Sequence, residues 1–174
     1  MEIEITRASL KELSELQEIC RETYSIYFST YWENNGLDLY LENQFGTKNL
    51  KADLNKEAIA YYFITLGKQA IGFIKINLEA ALKDFEAPCE IEKMYIYPNF
   101  KAKGIGKHAL SLVLRDIRRQ KKTTLFLDVL SDNATAISFY KKQGFKFLLK
   151  TKVLAPDFKA TLNNLDRMVL ELNK

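Results

Sequence analysis

The chain of 174 residues is 47% apolar, which suits one packed domain, residues 1–174, and is short for two. Two cysteines, Cys20 and Cys89, lie far apart without CxxC spacing, which excludes a disulfide framework or a metal cluster, and no metal is expected. The net charge of +4 hides a division: residues 1–97 carry ten Lys and Arg against sixteen Asp and Glu, whereas residues 98–152 carry thirteen against three. The basic part suits a polyanionic cofactor, and the acidic part a cationic partner. Its basic residues form no stripe interleaved with aromatics, so no nucleic-acid partner is expected. No run approaches the ~18 apolar residues of a membrane span. The start, Met-Glu-Ile-Glu-Ile-Thr, alternates like a strand rather than reading as a signal peptide, so the expectation is a cytoplasmic protein.

In chain order, Glu2 to Ala8 alternates as a strand with Ile3 and Ile5 inward, and Ser9 caps a helix striped by Leu13, Leu16, Cys20, Tyr24 and Tyr27. Ser29 to Phe45 is rich in aromatics, acids and Asn, with a short helix predicted over Asp38 to Phe45, and another follows over Lys48 to Leu54. Ala58 to Leu66 and Gln69 to Leu78 flank Gly67-Lys68 as a hairpin, and a third strand runs from Cys89 to Tyr97. The pattern then becomes strand, helix, strand, helix, strand. Lys107 to Lys122 is helical, with Leu110, Val113, Leu114 and Ile117 on one face. Thr124 to Leu130 is a near-continuous apolar strand buried on both sides. Asn133 to Gln143 is a helix stopped at Gly144, Phe145 to Leu154 is a strand, and Asn164 to Leu172 closes the sheet. The result is an α/β (α+β) fold with a mixed sheet of about seven strands and flanking helices.

The most informative segment is Lys101-Ala102-Lys103-Gly104-Ile105-Gly106, between a strand and a helix. Gly104 and Gly106 remove side chains that would block close approach, so backbone N–H groups and the helix's positive end can converge on a pyrophosphate. The GxGxxG dinucleotide fingerprint lacks its third glycine here, and the P-loop lacks its Lys-Ser/Thr step.

Four motifs together, Glu92-Lys93-Met94-Tyr95-Ile96-Tyr97-Pro98, the glycine loop, Asn133-Ala134-Thr135-Ala136-Ile137-Ser138-Phe139-Tyr140 and Gly144-Phe145, resemble the GNAT superfamily of acetyl-CoA-dependent N-acetyltransferases. Lys101 departs from the Gln or Arg that usually opens the family loop, a mild change where backbone amides do the binding. The resemblance implies a sheet splayed between its fourth and fifth strands. It also implies acetyl-CoA as donor, with the pantetheine arm paired to the backbone of Met94 and Ile96 as an added strand. Lys101, Ala102, Lys103, Gly104, Ile105, Gly106 and Lys107 would hold the pyrophosphate, and Asn133 and Tyr140 would face the cofactor from one side of their helix. Asn133 reads equally well as a plain helix N-cap.

Within that frame Tyr140 is the candidate general acid, donating to the sulfur as thiolate character develops. Glu92 is the candidate base for the incoming ammonium, on the reading that Glu90, Glu92, Met94 and Ile96 share one strand face, with Glu90 and Asp128 as alternatives. His108, on the first turn after the glycine loop, suits a surface or cofactor-edge role. Cys89 has no nearby partner signature for an acyl-carrying nucleophile, which favours direct attack.

The stretch Cys89 to Ile96, the Gly106-Lys107-His108 step and the run Phe139 to Phe145 resemble the bacterial spermidine/spermine N-acetyltransferase, PaiA-like, branch. A polyamine acceptor agrees with the acidic first half: Glu33, Asp38 and Glu42 for distal ammonium groups, with Trp32 or Tyr31 for cation–π contact. An aminoglycoside, an amino acid or a peptide or protein N-terminus suits the same features, and a non-catalytic acyl-CoA-binding module is the non-enzymatic alternative. An exposed terminal strand makes a homodimer possible.

Overall fold

The computed structural model describes residues 2–101 and 103–172. It carries one seven-stranded sheet in the order β1-β2-β3-β4-β5-β7-β6. The strands are β1 Ile3–Arg7, β2 Ile59–Leu66, β3 Gln69–Asn77, β4 Pro88–Ile96, β5 Thr124–Leu130, β6 Lys146–Lys152 and β7 Asn164–Glu171. The helices are α1 Leu13–Phe28, α2 Gly36–Phe45, α3 Thr47–Leu54, α4 Ile105–Arg119 and α5 Ala134–Lys142. The predicted order of elements stands throughout; their ends move by one to three residues. Ser9 caps a single 3₁₀ turn before α1 in a reciprocal capping box with Glu12, whose carboxylate accepts from the Ser9 N–H at 3.0 Å. At its other end α4 stops three residues short of Lys122, because the chain leaves the helix through Lys121 in a left-handed conformation, φ 59°.

Two apolar layers sandwich the sheet. On one face, Ala60, Tyr62, Ile64, Ile74, Cys89, Ile91, Leu125, Leu127 and Met168 pack with Leu110, Val113 and Ile117 of α4. On the other, Tyr61, Phe63 and Phe73 pack with Leu16, Cys20 and Tyr24 of α1, Leu41 and Phe45 of α2 and Leu50 of α3. Alternation sends the residues of the central strands to both layers, so most positions of β2 and β3 are buried.

Two irregularities set up the site. β4 and β5 run parallel and pair only over Pro88–Glu90 with Thr124–Phe126, after which they diverge into a fork. In β4, Ile91 pairs with Ile76 and Lys93 with Lys75, so Glu92 is the extra residue of a bulge. A bulge shifts the alternation by one. Cys89 and Ile91 before it, and Met94 and Ile96 after it, therefore lie on the α4 face, while Glu90 and Glu92 lie on the α1–α3 face. The expectation that Glu90, Glu92, Met94 and Ile96 share one face is thereby corrected: an unbroken strand would give it, and the bulge does not.

Candidate active site

The fork leaves one edge of β4 unpartnered. Tyr97 donates its N–H to the Ile71 carbonyl of β3 at 2.9 Å, so by alternation the N–H and C=O groups of Met94 and Ile96 point away from β3, into the fork. The Ile96 carbonyl there accepts from the Tyr27 hydroxyl of α1 at 2.5 Å. What remains is a short strand edge of the kind an extended amide-bearing chain can pair with.

At the mouth of the fork, the turn Pro98–Phe100 and the glycine loop lead into α4. Gly104 is the N-cap of α4 with φ 74°, a conformation that favours glycine, and a Cβ there would meet nothing within 4 Å, so the requirement is conformational. Gly106 differs: a Cβ there would lie 3.5 Å from the Phe139 ring of α5, an ordinary van der Waals contact, so the helices would accommodate a methyl group at this position. The first-turn N–H groups of α4 have no partner within the helix and give this end its positive field. Lys103, Lys107 and His108 are exposed around it. Lys101 Nζ lies 4.0 Å from the centre of the Tyr27 ring, a cation–π contact tying the loop to α1, and burial lowers its pKa. Ala102 lies outside the described residues.

On α5, Asn133 is an N-cap whose side-chain oxygen accepts from the Ala136 N–H at 3.1 Å. Ala136, Ile137, Phe139 and Tyr140 pack against the α4-side core. Tyr140 makes edge contacts with Phe139 and Phe145, and burial pushes its phenol up to about 12, which keeps it protonated at neutral pH.

Across the sheet, the α1–α3 face carries the carboxylates. Glu92, the residue expected as base, places Oε2 2.7 Å from Lys75 Nζ, and the same ammonium lies 2.9 Å from Asp53 Oδ2 of α3. The Lys75 side chain is 8% exposed, and the Tyr61 hydroxyl donates to Asp53 at 3.1 Å. Burial works to lower the lysine's pKa; Glu92 and Asp53 outweigh it and raise it. On β5, Asp128 accepts from Nε and Nη2 of Arg167 of β7, at 2.7 and 2.6 Å, and Arg167 lies over the Phe126 ring. Between these two ion pairs stands Glu90, opposite Phe126 on the last rung before the fork opens. Burial, then Glu92 and Asp128, push its carboxyl up to about 7. Cys89 is pushed up to about 12 by burial, which makes it a poor nucleophile.

The acceptor residues read from the sequence do not gather at one place. Trp32 is 8% exposed, enclosed by Tyr40, Phe158 and Tyr24, so it is a core residue rather than a cation–π surface. Glu33, Asp38 and Glu42 are exposed, and Glu42 pairs with Arg21 at 3.3 Å. Tyr31 reaches Asp132 of the β5–α5 turn at 3.4 Å, and Lys159, in the segment between β6 and β7, donates from its backbone N–H to the Tyr31 carbonyl at 2.9 Å. Residues 30–34 and 155–159 thus lie together. Sequence reasoning missed Lys75, Asp53 and Arg167; the signal for Lys75 was a lone cation inside the apolar run Ile71 to Ile76.

Comparison with known proteins agrees with this geometry. The acetyltransferase (GNAT) family profile matches residues 13–145, and the chain belongs to that family. It is 26% identical to an uncharacterized N-acetyltransferase of Lactobacillus delbrueckii subsp. lactis over 82% of this chain and 83% of that protein. It is 25% identical to the spermidine N(1)-acetyltransferase of Thermoplasma acidophilum over 84% of this chain and 89% of that one. In fold it is similar to the crystal structure of PaiA N-acetyltransferase from Thermoplasma acidophilum in complex with coenzyme A, with a TM-score of 0.76 at 20% identity, covering 98% and 99% of the two chains.

Proposed function

We propose that this GNAT acetyltransferase moves an acetyl group from acetyl-CoA directly to a primary amine of a polyamine such as spermidine or spermine. The observation that carries the reading is the fork: a strand edge at Met94 and Ile96 that β5 does not pair, with the Ile96 carbonyl held by Tyr27, and beside it a helix N-terminus opened by a left-handed glycine. Those residues fit coenzyme A. The backbone of Met94 and Ile96 suits its pantetheine arm, and residues 101–107 with the first turn of α4 suit its pyrophosphate. Acetyl-CoA supplies the activated acetyl thioester. Tyr140 holds a proton for the departing sulfur, and the β4 carboxylates Glu90 and Glu92 stand together on the α1–α3 face, where they suit a cationic acceptor. Support for a polyamine comes from the spermidine-acetylating relative and from the excess of carboxylates before the fork.

The test is thiol release from acetyl-CoA with spermidine, spermine, an aminoglycoside and an N-terminal peptide as competing acceptors. Release with the polyamines alone supports the reading; release with only one of the other amines replaces the acceptor and keeps the reaction.

Two further parts of the reading are a cytoplasmic setting, in keeping with acetyl-CoA as the donor, and pairing of two copies. The latter rests on β6, an edge strand exposing Phe147 at 50% and Leu149 at 42%. Light scattering after gel filtration distinguishes a dimer from a monomer, and F147E should shift a dimer to monomer.

A further inference from the structure

We infer that Tyr27 is an internal competitor of acetyl-CoA: its hydroxyl covers the strand-edge carbonyl of Ile96 and its ring holds Lys101, and both contacts are given up when the fork is filled. The inference rests on the acetyl-transfer reading above, through its donor. Tyr27 lies on the last turn of α1, and its hydroxyl donates to the Ile96 carbonyl at 2.5 Å. That oxygen belongs to the part of β4 that β5 leaves unpaired. The ring of the same residue lies under Lys101 Nζ, 4.0 Å from its centre, at the first position of the glycine loop. One side chain of α1 therefore touches both the backbone edge suited to pantetheine and the loop suited to pyrophosphate.

Chemistry and position make both contacts exchangeable. Burial pushes the Tyr27 phenol up to about 12, so at neutral pH the hydroxyl keeps its proton and donates to the carbonyl, the role that an amide N–H of an added strand would take. A donor 2.5 Å from the oxygen crowds out a second one at the same strand edge. The Tyr27 side chain is half-buried, so its hydroxyl can swing to water and be satisfied there. Lys101 has a similarly weak hold: the ring offers a cation–π contact where burial lowers the lysine's pKa, whereas a pyrophosphate offers a charge-assisted hydrogen bond. A separate link, from the Tyr97 hydroxyl to Glu22 of α1 at 2.5 Å, keeps α1 joined to the end of β4 when Tyr27 lets go.

The exchange is one of hydrogen bonds and involves no covalent step. Filling the fork costs the free protein the Tyr27–Ile96 bond and the Tyr27–Lys101 contact, and both return when the fork empties. Loss of the hydroxyl alone lifts the first cost, and loss of the ring lifts both. A ligand without the pantetheine arm meets only the second.

The experiment is calorimetric titration of wild type, Y27F and Y27L with acetyl-CoA and with 3′-phosphoadenosine 5′-diphosphate, a shorter ligand that carries the pyrophosphate but no pantetheine arm. Y27F should bind acetyl-CoA about threefold to tenfold more tightly than wild type, the worth of one net hydrogen bond, and should bind the shorter ligand as wild type does. Y27L should bind both ligands more tightly, the shorter one by about threefold. Thermal unfolding of the same preparations checks the cycle: free Y27F should melt below wild type, and saturation with acetyl-CoA should narrow the difference. The two variants are read separately, so Y27F decides the role of the hydroxyl even where Y27L does not fold. Y27F that binds acetyl-CoA with wild-type or weaker affinity overturns the inference, since the Ile96 oxygen then serves both donors or Tyr27 supports the cofactor. An equal gain for both ligands in Y27F overturns it as well. Wild type that binds neither ligand overturns the acetyl-CoA reading itself, and the inference with it.

Discussion

Lys75 of β3 and Glu92 of β4 meet at 2.7 Å across the one place where β4 carries an extra residue. The bulge turns the Glu92 side chain toward α3, and the buried ammonium, also bound to Asp53, holds it there. A structural irregularity and its charge compensation therefore occupy the same position. The fork opens next to it, with Met94 and Ile96 on the opposite face.

Removing the cation should be costly. K75M leaves Glu92 without its ion-pair partner, while Asp53 keeps Lys56 at 3.1 Å, and loss of one member of a buried ion pair costs roughly 3 kcal/mol. Urea unfolding should show the midpoint falling in K75M, with the loss partly recovered in K75M/E92Q, because the second change removes the uncompensated charge.

Glu90 makes stability depend on pH in a direction opposite to most carboxylates. Its folded value of about 7 stands above the ordinary 4.5, so its contribution is fully present below 4.5 and is lost as pH rises through 7. E90Q removes this dependence. The melting temperature of E90Q relative to wild type should therefore rise between pH 5 and pH 8, which thermal unfolding in a pH series reads directly.

Tyr140 is held protonated by burial, up to about 12. A general acid of this kind stays loaded throughout the neutral and mildly alkaline range, so activity should show no alkaline loss from this group below about pH 10. Y140F should reduce kcat by about 10²-fold, with acetyl-CoA affinity unchanged in calorimetry. A poorer leaving thiol in the donor should widen that gap.

Gly104 meets no neighbour but adopts φ 74°. G104A should fold, cost about 1 kcal/mol, and weaken coenzyme A binding more than it lowers the melting temperature, since the strain falls on the loop that would receive the pyrophosphate. Calorimetric titration with coenzyme A and thermal unfolding of the same preparation separate the two effects. Equal affinity in G104A and wild type would remove the loop from the binding site.

Much of this protein is local in origin and could be read along the chain. The order of strands and helices, Ser9 as a helix cap, the glycine loop before α4 and the position of Tyr140 on α5 follow from periodicity, caps and turn residues, which act over a few neighbours. Asn133 was legible as a cap for the same reason. What only the tertiary structure decided concerns partners distant in sequence. The bulge at Glu92 is a mismatch between two strands, invisible to the alternation of either one, and it reversed the face on which the β4 glutamates stand. Lys75 became a buried bridge because α3 brings Asp53 over β3, and Trp32 became core because residues 155–159 close against it. A side chain's type is fixed by the sequence, but its charge state and exposure depend on desolvation and on neighbours that arrive from elsewhere in the fold. That is why the glycine loop could be found from residues alone, while the differing surroundings of Glu90 and Glu92 needed the assembled sheet.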